Sequence, residues 1–174
     1  GIRDYDLTGV QTCALPIFVK IYKNLLNHAN YVICATPGIY DWLSTIKRKQ
    51  VIYNYPVINS SYIKSKVFNR YKAIYSGGVS LDRGIQQSVE AIAEFNKKSE
   101  NKIIFDVYGP IIREREKQCI EEIFNQNKDF VNYFGRVSYN KIQSKYVDYN
   151  IGFCLLHPSE NYIDSHPIKI YEYL

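Results

Sequence analysis

The stretch IYSGGVSLDRGIQQSVEAI, residues 74–92, decides the fold. It closes a strand from Lys72 to Ser76, passes through two glycines, and opens a helix from about Ile85 to Asn96. The helix carries Ile85, Val89, Ile92 and Phe95 at the spacing of one helical face. The same alternation then repeats. Ile103 to Tyr108 reads as a strand, Glu114 to Asn125 as a helix, Phe130 to Phe134 as a strand, Asn140 to Asp148 as a helix and Ile151 to Leu156 as a strand. Short apolar strands separated by amphipathic helices predict an α/β fold, a Rossmann-like parallel sheet with helices on both faces. The chain stops at Leu174, one or two turns into another helix, so the fold is expected to continue beyond it.

Upstream, Phe18 to Ala29 reads as the end of a helix, and YVICA (31–35) as a buried parallel strand. Gly38 to Ile46 follows as helix and Gln50 to Tyr53 as strand. NYPVINSSYIKSKVFNR (54–70) then breaks periodicity with Pro56 and its Asn and Ser cluster. The expected organisation is a remnant of one Rossmann-like domain over 18–58, a linker over 59–70 and a second domain over 71–174. Residues 1–17, GIRDYDLTGVQTCALPI, have no periodicity at all. Thr8 to Ile17 can be back-translated as ACT GGA GTT CAG ACG TGT GCT CTT CCG ATC, and Gly1 to Asp4 as GGC ATA CGA GAT. Both resemble a sequencing-library adapter. The segment is therefore expected to be non-native and the natural amino terminus to lie elsewhere.

The bulk numbers exclude several classes. The chain has 174 residues, 46% hydrophobic and 22% charged, enough apolar mass for a core. Its 22 Lys and Arg against 17 Asp and Glu are scattered instead of clustered, so no nucleic-acid partner is expected. The mildly basic balance suits an anionic small ligand or an acidic membrane surface. Cys13, Cys34, Cys119 and Cys154 form no CxxC pair and have no histidine at metal-site spacing, which argues against zinc and against a disulfide framework. Reduced thiols point to the cytoplasm. No apolar run reaches the roughly 20 residues that span a bilayer. The richness in Ile, Lys, Asn and Tyr reads as the bias of an AT-rich bacterial genome.

Ligands of an open parallel sheet bind at the carboxyl ends of its strands. After Ser76, Gly77 and Gly78 let backbone approach a ligand closely, and Arg83 sits where the next helix begins. A diphosphate would be well met there, although two glycines also make an ordinary tight turn. In HPSENYIDSHPIKIYEYL (157–174), Pro167 suits a helix start and puts Lys169 and Glu172 on one face. A cation there can neutralise phosphate, and a carboxylate one turn deeper can accept from two ribose hydroxyls. The plainer reading is a surface ion pair contributing ~0.3 kcal/mol. His157, His166 and Glu160 invite acid or base roles. His157 reads better as a structural histidine, and His166, although nearer the presumed ligand, is given no proton-transfer role.

Together these segments resemble the GT-B fold glycosyltransferases, in particular glycosyltransferase group 1, also called family 4. The resemblance covers Tyr31 to Leu174 and rests on YVICATPGIYDWL, VIYNYP, IYSGGVSLDRGIQQSVEAI, FDVYGP, NYFGRVSYNKI, IGFCLLHP and NYIDSHPIKIYEYL. It implies a retaining transfer of a sugar from a nucleoside-diphosphate sugar to a glycan or lipid-linked acceptor. The setting implied is cell-envelope polysaccharide synthesis, in the cytoplasm or at the inner face of the membrane. Residues 71–174 would be the nucleotide-sugar-binding domain and 18–58 part of the acceptor domain. Arg83, Lys169 and Glu172 would form the catalytic set. Gly77 and Gly78 would lie under the diphosphate, the backbone at Arg136 and Val137 would hold the base, and Asp164, Ser165 and His166 would face the donor sugar.

Two positions depart from the family pattern. Asp164 stands where the first glutamate of E-x7-E is usual, and Gly78 where an arginine is. No cofactor and no metal are expected, and there is no DxD motif. The fragment itself is expected to be inactive and poorly soluble. A nucleotide-sugar 2-epimerase and a non-catalytic nucleotide-binding or scaffold module are the alternatives.

Overall fold

The computed structural model describes residues 19–56, 71–158, 162 and 165–174. The expected adapter segment, the linker over 59–70, Glu160 and Asp164 lie outside the described residues. The chain divides into two compact units, Gly1–Asn54 and Tyr55–Leu174.

In the first unit a helix (α1, residues 19–27) precedes β1 (Val32–Cys34), α2 (Pro37–Trp42) and β2 (Lys49–Val51), and the two strands pair in parallel. Thr36 caps α2 by accepting from the Ile39 N–H at 3.2 Å, with Pro37 in the first turn. The helix expected over Gly38 to Ile46 ends early, at Trp42. Its last carbonyls explain this: the Lys49 ammonium takes those of Tyr40 and, at 2.9 Å, Leu43, and the chain turns so that Leu43 and Ile46 bury against Cys34.

The second unit is a four-stranded parallel sheet in the order β5-β4-β3-β6, formed by β3 (Tyr71–Ser76), β4 (Ile103–Tyr108), β5 (Val131–Gly135) and β6 (Ile151–Gly152). Alternation along β3 distributes its side chains. Ala73 and Tyr75 enter a core with Ile85, Val89 and Ile92 of α3 (Ile85–Lys98) and Ile120 and Phe124 of α4 (Glu114–Gln126). Ile74 enters a second cluster with Ile142 of α5 (Tyr139–Gln143), Tyr149, and Tyr173 of α6 (Ile168–Tyr173). Helical elements thus cover both faces, and the α/β architecture read from the sequence is the one observed. Phe95, read as part of the apolar face of α3, is 43% exposed because it lies in the last turn, past the edge of the core.

Two further elements differ from expectation. The helix read over Asn140 to Asp148 splits into α5 and a 3-10 turn, Tyr146–Asp148. At the break the Ser144 hydroxyl donates to the Lys141 carbonyl at 2.9 Å, competing with the helical ladder. The strand read over Ile151 to Leu156 keeps only Ile151–Gly152. The ladder runs as far as the Phe153 N–H on the Ile74 carbonyl (2.8 Å). The next rung is occupied by the Tyr173 phenol, which accepts from the Ser76 N–H at 3.1 Å and donates to the Phe153 carbonyl at 3.3 Å. Gly152 makes room for this docking, since a Cβ there would lie 2.2 Å from the Tyr173 ring.

The carboxyl ends of the strands are laced to one another. The Gly77 N–H donates to the Tyr108 carbonyl (2.8 Å), Gly109 N–H to Gly135 (2.7 Å), Val79 N–H to Pro110 (2.8 Å) and Ile112 N–H to Val79 (3.0 Å). Gly109, at φ 133°, lies so close to Gly77 that a Cβ on it would stand 1.8 Å from the Gly77 carbonyl oxygen. This is a backbone crossing that only glycine permits.

Candidate functional site

Above these strand ends lies a cleft of about 810 Å³, within the range of small-molecule sites. Nine of the residues singled out in the sequence line it: Gly77, Gly78, Arg83, Arg136, Val137, Ser165, His166, Lys169 and Glu172. Asp164 belongs to the residues not described.

The glycine turn is built to be approached. Gly77 holds φ 127°, and the Lys169 side chain occupies the place a Cβ would take, with Cε at 2.7 Å and Nζ at 3.0 Å from it. Beside it, a Cβ on Gly78 would lie 3.2 Å from a guanidinium nitrogen of Arg83 and 2.7 Å from Ile112. Gly78 thus presents backbone covered by Ile112, with Arg83 beside it. Two cations carried by separate elements, one on the loop after β3 and one on α6, meet over a single backbone turn.

Their electrostatics show that the turn is a positive site. Burial, and after it the like charge of Arg83, push Lys169 down to about 8, against the opposing pull of Cys154 and Glu172. The ammonium rests 3.7 Å above the Tyr75 ring, whose hydroxyl donates to the Gly78 carbonyl at 2.6 Å. Cys154 lines the same wall, its thiol pushed up by burial while Lys169 and Arg83 draw it down. An anion entering here would relieve the repulsion between the two cations and restore the charge that burial disfavours on Lys169.

Arg83 is aimed by its surroundings. Its Nε donates to the Tyr162 hydroxyl at 3.4 Å, and the preceding Asp82 is fixed by the Ser80 hydroxyl (2.5 Å) and by Arg113 (2.7 Å). Burial works to raise the Asp82 carboxyl, but these partners outweigh it and hold the group below the usual carboxylate range. Arg113 also pairs with Glu116 at 2.7 Å, and Glu116 accepts from the Leu81 N–H at 2.8 Å. Arg113→Met is expected to cost about 2 kcal/mol, because it strands two largely buried carboxylates whose partial exposure softens the loss. The shift in urea midpoint measures it.

Glu172 accepts from the Tyr146 hydroxyl at 3.2 Å. Ser165 donates its hydroxyl to the Tyr162 carbonyl at 2.9 Å, and His166 and Arg136 stand exposed at the rim. His157 takes no part in the cleft lining. Its ring lies 3.2 Å from Gln87 while its backbone N–H donates to the Asp82 carbonyl. The sequence reading missed Ser76, Tyr75, Tyr146, Tyr162 and Arg113. The abundance of tyrosine reads in the sequence as genome bias, and the one available signal is the placement of these tyrosines beside the strand ends and the Lys169 helix.

No protein-family model matches the chain, and no curated protein matches it in sequence. Solved structures do. HepE of Anabaena, in complex with UDP and glucose, aligns with a TM-score of 0.58 at 14% identity over 78% of this chain and 40% of its own. A glycosyltransferase from Rickettsia africae aligns at 0.57 and 16% identity over 86% and 42%. TarM of S. aureus, in complex with UDP, α-GlcNAc-glycerol and fondaparinux, aligns at 0.56 and 18% over 76% and 26%. The chain therefore spans less than half the length of each of these proteins. At such identities the likeness is one of fold, and the fold is the GT-B type α/β architecture of glycosyltransferases.

Proposed function

We propose that the chain is the donor-binding part of a group 1, family 4 glycosyltransferase that moves a sugar from a nucleoside-diphosphate sugar, with retention, to a glycan or lipid-linked acceptor. The observation that carries this reading is the meeting of Arg83 and Lys169 over the Gly77–Gly78 turn. As the bond from sugar to diphosphate breaks, negative charge grows on the leaving oxygens and oxocarbenium character on the sugar. Arg83 and Lys169 meet the former without reorganising. Glu172 serves the ribose hydroxyls, the backbone at Arg136 and Val137 the base, and Ser165 and His166 face the sugar with Asp164. The scheme draws its positive charge from side chains and calls for no metal. The matching folds solved with UDP or UDP-glucose support a nucleotide-sugar donor.

Among the described residues no helix is long and apolar enough to cross a membrane. The proposed setting is the cytoplasm or the inner face of the membrane, where a lipid-linked acceptor would be met. Calorimetric titration of the chain with UDP, GDP and their sugars tests the donor site. Saturable binding of one nucleotide series is expected, and saturation by neither sinks the reading.

A further inference from the structure

The Glu172 carboxylate sits on α6, a helix of only six residues, Ile168–Tyr173, so the helix by itself does little to fix where the side chain points. What fixes it comes from the sheet. Ser76 ends β3 directly before the glycine turn, and its Oγ lies 2.9 Å from the Tyr146 hydroxyl. That hydroxyl in turn donates to Glu172 Oε2 at 3.2 Å. Tyr139, at the start of α5, lies near the same carboxylate, and burial followed by the Glu172 charge pushes its phenol up. Tyr146 packs edge-on against the Tyr173 ring at 5.3 Å, and the Tyr173 phenol is bonded to Ser76 as well. The chain of contacts runs from the strand end beneath the diphosphate turn, through a tyrosine, to the carboxylate.

We propose that Tyr146 is a positioning residue for Glu172, and that this relay from Ser76 sets the carboxylate for a vicinal diol of the bound nucleotide. The inference rests on the proposed function and names what holds the ribose end of that site. Burial first, and the neighbouring Glu172 charge after it, push the Tyr146 phenol up, so that it stays a donor throughout the working pH range. With Ser76 donating to the phenol oxygen, the Tyr146 proton has one acceptor, Oε2 of Glu172. A phenylalanine ring would keep the packing against Tyr173 and release the carboxylate.

The test compares the affinity of the full chain for UDP with that for 2′,3′-dideoxy-UDP, or the guanine pair should the first titration select it. The unaltered chain is expected to prefer the diol form about tenfold, the worth of a hydrogen bond to a charged group. Tyr146→Phe should cut that preference to about threefold while leaving affinity for the dideoxy form unchanged. Glu172→Gln should nearly abolish the preference, and adding Tyr146→Phe to it should change nothing more. A general loss of packing would instead weaken both nucleotides alike, and that result overturns the proposal. Normal UDP binding with an undiminished preference in Tyr146→Phe also overturns it, and leaves the donor-site reading standing. Failure of the unaltered chain to bind either nucleotide removes both.

Discussion

Gly109→Ala is expected to cost the protein about 3–4 kcal/mol of stability, read as a fall in the urea midpoint of the far-ultraviolet circular dichroism transition. Two effects add. A side chain at φ 133° is strained wherever it sits, by about 1–3 kcal/mol. The new Cβ would also stand 1.8 Å from the Gly77 carbonyl oxygen, which is backbone and cannot swing aside. The two turns would have to separate, stretching the bonds from Gly77 to Tyr108 and from Gly109 to Gly135. Gly135→Ala is the control. It has a positive φ of 62° but no neighbour within 4 Å, and should cost only about 1 kcal/mol. Equal losses at the two sites would show that the backbone crossing does not exist.

Lys169→Ala is expected to weaken nucleoside-diphosphate binding by about a hundredfold, the usual consequence of deleting one desolvated cation facing a phosphate. Lys169→Arg should not restore it. The lysine chain already lies 2.7 Å from the Cβ place of Gly77, and a planar guanidinium is too wide for that seat. A second signature follows from the pH at which this lysine titrates. Below about 8 the ammonium is already charged and affinity should not depend on its proton. As pH rises through about 8 the free site loses that proton while the bound site retains it, so affinity falls by up to about tenfold per unit and binding takes up a proton. The alkaline inflection should vanish in Lys169→Ala. Its persistence there would assign the titration to another group.

How far the sequence could be read follows from which forces leave a periodic trace. Ile85, Val89 and Ile92 repeat at helical spacing, and β3 and β4 are short, mostly apolar runs between turns. Their type and nearly their bounds were therefore legible, as was the glycine turn with Arg83 beyond it. What escaped was decided by single long-range bonds. The Tyr173 phenol shortens β6 from twenty residues away, and Arg113 fixes Asp82 across thirty-one. The Ser144 hydroxyl divides the helix after Tyr139, and Lys49 ends α2 by taking its carbonyls. None of these leaves a repeat in the chain. The convergence of Lys169 with Arg83 follows only from family likeness, because nothing in their spacing of 86 positions predicts contact. The tyrosines around Glu172 give no sequence signal because abundance hides placement.

The lacing of the strand ends governs how the floor of the cleft can move. Each turn after β3, β4 and β5 either donates to or accepts from its neighbour's backbone, so no turn can fray without dragging the next. Local opening there approaches the cost of melting the sheet, instead of the small cost of loosening a surface loop. A ligand settling on that floor freezes little that was not already still. Its binding free energy is then left to charge and contact, with little spent on ordering chain.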